Sequence, residues 1–360
     1  TVVAKAGTPL AEIEAALAAE GQRLPFEPMD HRPLLGTSGA PTIGGVVAAN
    51  VSGPRRIQAG ACRDSLIGVR FVDGSGTVVK NGGRVMKNVT GYDLVKLMAG
   101  SHGTLGVLSE VAFKVLPAPE ASAGVVIDGP SELQAVEAMA TALGSPFEVT
   151  GAAHLPAAGR TMLRIEGFAA SVAYRAGRLA ELMGPFGDVT LVEEAGQVAA
   201  DWRAIRDVEA CAGRAGDVWR VSVAPSDGPG IAARAGGEVI YDWGGGLVWA
   251  LVPEGTDLRA RLGAFAGHAT LVRAGEETRP SARPQASVSS GSRVRTPARS
   301  VSSGLMLRPA LRGGGSRATG RDRPSFSYSC FEYLFRGRGA APTRSSRSGS
   351  GGCQRPWSIS

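Results

Sequence analysis

Histidine, cysteine and aromatic residues are scarce in this 360-residue chain, with four His, four Cys and an aromatic share of 6%. The cysteines, Cys62, Cys211, Cys330 and Cys353, form no CxxC pair. That spacing excludes an iron–sulfur or zinc site within the chain and fits a reducing compartment. Four isolated histidines supply no metal-binding cluster, so the sequence assigns no metal ligands. No run of eighteen apolar residues occurs, which excludes a membrane-spanning helix. A GxGxxG joining a strand to a helix is also absent, which excludes a Rossmann-type dinucleotide site. The opening Thr1-Val2-Val3-Ala4-Lys5 reads as a strand rather than an export signal, and the missing Met suggests a fragment or a processed start.

Lysine is absent from residues 280–360, which hold 14 Arg against only Asp322 and Glu332 as acids. The net charge of +7 therefore misleads, because residues 1–279 carry 25 basic and 30 acidic side chains. Arg, Ser and Gly make up 43 of those last 81 residues, and no helical or strand periodicity runs through them. A low-complexity basic tail over 280–360, disordered and contributing nothing to the fold, is the expectation. Out-of-frame reading of a GC-rich gene yields this bias economically. A basic arm that neutralises nucleic-acid phosphates is the rival. Such arms mix Lys with Arg or repeat an aromatic–Gly motif, and neither appears, so no nucleic-acid partner is expected.

What remains reads as two units. In 1–118, Thr8 is expected to cap a helix with Pro9 in its first turn, Leu10, Ile13 and Leu17 as its apolar stripe and Gly21 at its end. Pro25 to Arg63 shows little periodicity but is dense in small and turn-forming residues, and loops that long are usually functional. A hairpin follows, Leu66–Val72 and Thr77–Lys80 around Asp73-Gly74-Ser75-Gly76, then a short helix near Asp93 to Ala99 and a strand from Val107 to Leu116. Pro117 and Pro119 mark a boundary. In 119–279, strands and helices alternate, with Ser131 capping a helix. That order predicts an α+β domain of split βαβ character.

Chemistry concentrates in the glycines. Pro41-Thr42-Ile43-Gly44-Gly45 is followed by Ala48-Ala49-Asn50-Val51-Ser52-Gly53-Pro54-Arg55-Arg56. A backbone that touches a pyrophosphate needs glycine, because a Cβ holds N–H groups away from the oxygens. Small residues after it let a flat ring system lie against the chain. A Gly-Gly pair alone is more often an ordinary turn. Here it is followed in order by Gly60–Val69, by Lys87-Asn88-Val89-Thr90-Gly91-Tyr92-Asp93, and by Gly103-Thr104-Leu105-Gly106-Val107-Leu108.

This ordered set resembles the PCMH-type FAD-binding domain shared by vanillyl-alcohol oxidases, D-lactate dehydrogenases and glycolate oxidase subunits. Val51–Arg56, Val85–Asp93 and Tyr241-Asp242-Trp243-Gly244-Gly245-Gly246-Leu247-Val248-Trp249 resemble the E subunit of bacterial glycolate oxidase in particular. The resemblance implies an α+β fold: a partial FAD-binding domain, a smaller cap domain and the tail. It implies FAD held by Pro41, Thr42, Ile43, Gly44, Gly45, Ala48, Asn50, Ser52, Gly53, Gly103, Thr104, Gly106, Val107 and Leu108. It also implies oxidation of a small 2-hydroxy acid beside a D-type flavoprotein subunit and an iron–sulfur F subunit, in the cytoplasm and peripheral to the inner membrane through the complex. A non-catalytic assembly subunit that keeps the fold without flavin is the alternative. Relatives carry a Gly/Ser-rich pyrophosphate loop before the point where this chain starts, so the chain as written is expected to bind FAD poorly. No catalytic residue is assigned. Arg55, Arg56 and Arg63 are candidate carboxylate partners, although each reads more readily as a surface or phosphate-contacting arginine. His102 and His268 are candidate bases that read more readily as satisfied side chains.

Overall fold

The computed structural model describes residues 1–83, 91–275, 278 and 358–359. The first unit is a mixed five-stranded sheet under short helices. Strand β1 (Val2–Lys5) leads through α1 (Leu10–Ala19) to the two-residue β2 (Gln22–Arg23). The Pro25–Arg63 stretch folds into four short helices: α2 (Arg32–Leu35), α3 (Ile43–Ala48), α4 (Arg56–Ala59) and α5 (Cys62–Ser65). Then come the hairpin β3 (Leu66–Val72) and β4 (Val78–Gly82), α6 (Leu94–Met98), β5 (Val107–Phe113) and β6 (Leu116–Pro117). The hairpin turn is closed by Asp73, whose carboxylate accepts from the N–H groups of Ser75 and Thr77. Asp73 is therefore the turn residue that the Asp-Gly signal implies.

Leu10, Ile13 and Leu17 of α1 pack with Phe26, Val47, Leu66 and Phe113 in the core of this unit. The Phe26 and Phe113 rings lie 5.4 Å apart. Thr8 does not cap α1. Its hydroxyl is buried without a partner, and Pro9 occupies the N-cap position. The Thr8 carbonyl instead accepts from Ile43 N–H, and Pro9 bridges to Thr42, so the segment is held as an extended edge against the start of α3. Ser358–Ile359 forms a two-residue strand parallel to Val3 and Ala4 on the outer edge of β1, and the rest of 280–360 lies outside the described residues.

The second unit begins with β7 (Ala121–Asp128), α7 (Glu132–Leu143), β8 (Gly151–Leu155), β9 (Arg160–Gly167), α8 (Ala169–Met183) and β10 (Asp188–Val192). After α9 (Ala195–Arg206) come β11 (Asp217–Val223), α10 (Gly228–Ala235), β12 (Glu238–Asp242), β13 (Leu247–Val252), α11 (Leu258–Leu262) and β14 (Gly267–Arg273). Its eight strands form one antiparallel sheet in the order β10-β7-β9-β8-β12-β13-β11-β14. Each half is a split βαβ with its first strand flanked by its third and fourth. The halves join through their second strands, β8 and β12, at the pair His154 and Tyr241. Split βαβ character is thus present twice. Helices α7, α8, α10 and α11 cover one face with Val136, Leu179, Ile231 and Leu258, over Trp219, Val221 and Val248. Ser131 caps α7 as expected, and Gln134 completes a reciprocal capping box. The other face carries Val218, Ile240 and Trp249, which pack on Met29 and Leu34 of the first unit.

Candidate functional site

Thr42 N-caps α3, accepting from Gly45 N–H through its hydroxyl at 3.3 Å. The donors at this turn are largely committed. Ile43 N–H bonds to Thr8 O at 3.0 Å and Gly44 N–H to Ala6 O at 2.8 Å. Those two N–H groups are thus already engaged within the chain. A Cβ at Gly44 would fall 2.7 Å from Ala6 O, so this glycine is dictated by the approach of α3 to β1. Gly53 and Gly106 are likewise set by backbone neighbours. A methyl group at Gly53 would run into Glu27 O, and one at Gly106 would fall 2.5 Å from Val72 O.

Gly45 and Gly103 differ. A Cβ at Gly45 meets only the Thr42 hydroxyl at 3.5 Å, and one at Gly103 meets nothing within 4 Å. The 100–104 turn hangs from α3, with Gly100 N–H on Val47 O and His102 N–H on Ala48 O. Gly103 has φ +74° and His102 φ +52°, which makes this a left-handed corner. Beside it Leu105 and Val107 are exposed, Val107 at 71%. Open glycine faces next to uncovered apolar side chains suit a dinucleotide with a flat ring, so these residues fit FAD. Asn50 and Ser52 brace the loop between them: Asn50 accepts from Arg63 N–H, and Ser52 accepts from Cys62 N–H. The Lys87–Thr90 part of the third motif lies outside the described residues.

The three candidate arginines part company. Arg55 makes a two-pronged bond to Glu166 of β9, with Nε on Oε2 at 2.8 Å. Arg23 adds a bond to the same carboxylate at 2.8 Å, and Arg164 bonds Glu27 through both terminal nitrogens at 3.0 and 2.8 Å. The Arg164 guanidinium also lies 4.5 Å from the centre of the Trp202 ring. Burial alone would raise the Glu166 carboxyl, but the bonds from Arg55 and the charges of Arg164, Arg55 and Arg23 hold it far below the carboxylate range. Glu27 is lowered for the same reasons. These charges line an inter-lobe cavity of about 500 Å³ that contains none of residues 41–45 or 100–108. Because they are spent on one another, this cavity is a docking seam rather than a reaction site. Arg63 is half exposed beside Asp64 at 3.8 Å.

Arg56 is the one brought to a second, unneutralised cluster. Its guanidinium lies 4.5 Å from the Trp243 ring centre, and Arg220 of β11 lies 4.9 Å from the same ring. Trp243 is anchored by its indole N–H, which donates to Gly53 O at 3.1 Å. Burial and the neighbouring Arg56 bring Arg220 down to about 10. His268 is lowered by burial and then by Arg220 and Arg56, whereas His102 is exposed on the corner by Gly103. Sequence reasoning missed Arg220, since an arginine inside a strand carries no local signal. Trp243 does lie in the Tyr241–Trp249 motif.

Asp242, next to that ring, is fully buried, and burial raises its carboxyl to about 7 against the bond from Trp243 N–H at 2.7 Å. A carboxyl raised in the folded state loses stability as pH climbs from its ordinary 3.8 towards about 7. Asp242→Asn should therefore raise the thermal midpoint, and by more at pH 8 than at pH 5. Equal midpoints for the variant and wild type at pH 8 would contradict the burial argument.

The glycine cradle and its cap define an FAD-dependent oxidoreductase of the PCMH type, and residues 1–82 match the family described as "FAD binding domain". The chain is 39% identical over 280 residues to glycolate oxidase subunit GlcE of Escherichia coli (strain K12), covering 76% of this chain and 72% of that one. It belongs to the glycolate oxidase E subunit family. It is also 43% identical over 79 residues to glycolate oxidase subunit GlcD of Bacillus subtilis (strain 168), which covers 22% of this chain and 17% of that one. Likeness to D-lactate dehydrogenase of Anaerostipes hadrus is 42% over 86 residues, 24% of this chain and 18% of that one. The solved alkyldihydroxyacetonephosphate synthase superposes with a TM-score of 0.52 at 18% identity, covering 68% of this chain and 53% of that one, a likeness of fold. The family's cofactor is FAD. No described helix is long and apolar enough to cross a membrane, and the described residues hold no metal-binding cluster.

Proposed function

We propose that the chain is the FAD-carrying E subunit of a glycolate-type 2-hydroxy-acid dehydrogenase. In this reading it acts beside a D-type flavoprotein subunit and an iron–sulfur F subunit, in the cytoplasm and peripheral to the inner membrane through that complex. The chemistry that bound FAD would supply is acceptance of a hydride from the Cα of glycolate while the hydroxyl proton passes to solvent, giving glyoxylate, with the electrons passed on to the iron–sulfur partner. The first unit, 1–118, holds the cofactor through the open faces of Gly45 and Gly103. The second, 119–279, closes over the substrate. The observation that carries this reading is the pair of glycines whose side-chain positions no backbone fills, Gly103 with nothing within 4 Å and Gly45 with only the Thr42 hydroxyl at 3.5 Å. One observation favours a second reading, an assembly subunit without flavin: the N–H groups of Ile43 and Gly44 are already spent inside the chain.

Flavin absorbance of the purified complex, compared for wild type, Gly45→Val and Gly44→Val, separates the two. Gly45→Val should lose bound flavin at least ten-fold with its circular dichroism intact. Gly44→Val should lose both flavin and thermal stability, because its side chain strikes Ala6. Wild-type flavin content in the Gly45 variant would overturn the cradle. A complex that assembles with no flavin on this subunit would establish the second reading.

A further inference from the structure

Two guanidiniums from different units lie over one indole ring. Arg56 comes from α4 of the first unit, Arg220 from β11 of the second, and Trp243 ties the units together through Gly53 O. Neither guanidinium has a carboxylate partner within 4.0 Å among the described residues. The ring contacts offset less than the cost of desolvating a guanidinium and of holding two like charges together. The surrounding groups do not supply the missing negative charge. His268, one strand over through its partner Ser222, and His31 face Arg220 and add none. Asp242 lies on the same sheet face but makes no ion pair with Arg220 within 4.0 Å, and burial raises its carboxyl to about 7. Asp64, near Arg56, is paired with Arg63. A half-buried cationic pair without a counter-ion, beside the Asn50–Gly53 loop, is an incomplete site for an anion.

We propose that Arg56 and Arg220, set around Trp243, receive the carboxylate of the 2-hydroxy acid, and that docking of the second unit assembles this site. The assignment rests on the function proposed above and deepens it. A guanidinium fork suits a planar carboxylate, so the pair favours small anions that carry one. It also explains why the Ser52-Gly53-Pro54-Arg55-Arg56 stretch carries two adjacent arginines: Arg55 docks the units through Glu166, and Arg56 is left for the ligand.

The test is calorimetric titration of the assembled complex with glycolate and, separately, with inorganic phosphate. Arg56→Gln, Arg220→Gln and the half-exposed control Arg63→Gln are compared with wild type. Each of the first two should weaken glycolate binding at least ten-fold and raise KM more than it lowers kcat, with flavin content unchanged. Arg63→Gln should match wild type, and phosphate should bind at least ten-fold more weakly than glycolate. Unchanged glycolate affinity in both variants would overturn the proposal. So would loss of flavin in place of glycolate affinity, which would give the pair to the cofactor, and so would equal affinity for phosphate. Should wild type hold no flavin, the function proposed above fails while glycolate titration still reads the arginine pair.

Discussion

Glu166→Gln is expected to destabilise the docking of the two units by about 3–5 kcal/mol, the range for removing one partner of a buried ion cluster. Glu166 accepts from Arg55 and Arg23 and lies 3.6 Å from Arg164, and its side chain is 4% exposed. An amide keeps one acceptor but leaves three guanidiniums with a single carboxylate, Glu27, among them. Arg164→Met should be comparably damaging, because it leaves Glu27 with only the longer Arg55 ion pair at 3.6 Å and removes the partner of the Trp202 ring. Both Glu27 and Glu166 titrate below their ordinary value of 4.5 in the folded chain. A depressed carboxyl stabilises above its unfolded pKa and loses that contribution as pH falls through the folded value. Wild-type stability should therefore hold near neutrality and begin to fall once pH drops below about 4.5, whereas Glu166→Gln should show a flatter acid limb. Urea midpoints from pH 7 to pH 3 measure both. A variant within about 1 kcal/mol of wild type at pH 7 would show that the cluster does not hold the units together.

The hairpin and the helix start were legible because their signals are local. Asp73-Gly74-Ser75-Gly76 fixes a hairpin wherever it stands, and Ser131 with Gln134 closes a capping box in the residues it starts. The spacing of the glycine motifs likewise survived into the α3 and 100–104 turns. What escaped was set by distant partners. Thr8 looks like a helix cap, yet its segment is recruited as an edge for Ile43 and Thr42. Strand β7 opens with Ala121-Ser122-Ala123-Gly124 and helix α10 with Gly228-Pro229-Gly230, compositions that favour neither element, and the sheet and its covering helices override them. With both unread, the doubling of the split βαβ unit was invisible. The individual reasons for the glycines could not be read, since a sequence does not tell which side of a glycine faces a carbonyl. The same holds for the arginines: Arg55 and Arg56 are neighbours with equal claims in the sequence, and only the arrival of Glu166 and Trp243 separates them.

Gly53→Ala tests that last point with a single methyl group. The Gly53 N–H donates to Phe26 O at 2.9 Å, and a Cβ would collide with Glu27 O and sit 3.1 Å from Arg206 Cγ. Glu27 itself is held at φ +49° while its carboxylate is clamped by Arg164, so its carbonyl has nowhere to retreat. The 50–53 loop must then withdraw, and two consequences follow from one displacement. Gly53 O leaves the Trp243 indole, which loosens the arginine pair, and Glu27 is dragged from Arg164, which loosens the seam. Overpacking against backbone costs about 1–3 kcal/mol where neighbours can adjust, and more where they cannot. The expected result is a loss of about 3 kcal/mol or more in unfolding free energy together with at least a ten-fold loss of glycolate affinity. Gly45→Ala, whose methyl meets only the Thr42 hydroxyl at an ordinary 3.5 Å, should change stability by less than about 1 kcal/mol. A Gly53→Ala protein with wild-type stability and glycolate affinity would mean that the close approach of this loop to Glu27 is not what holds the two units in register.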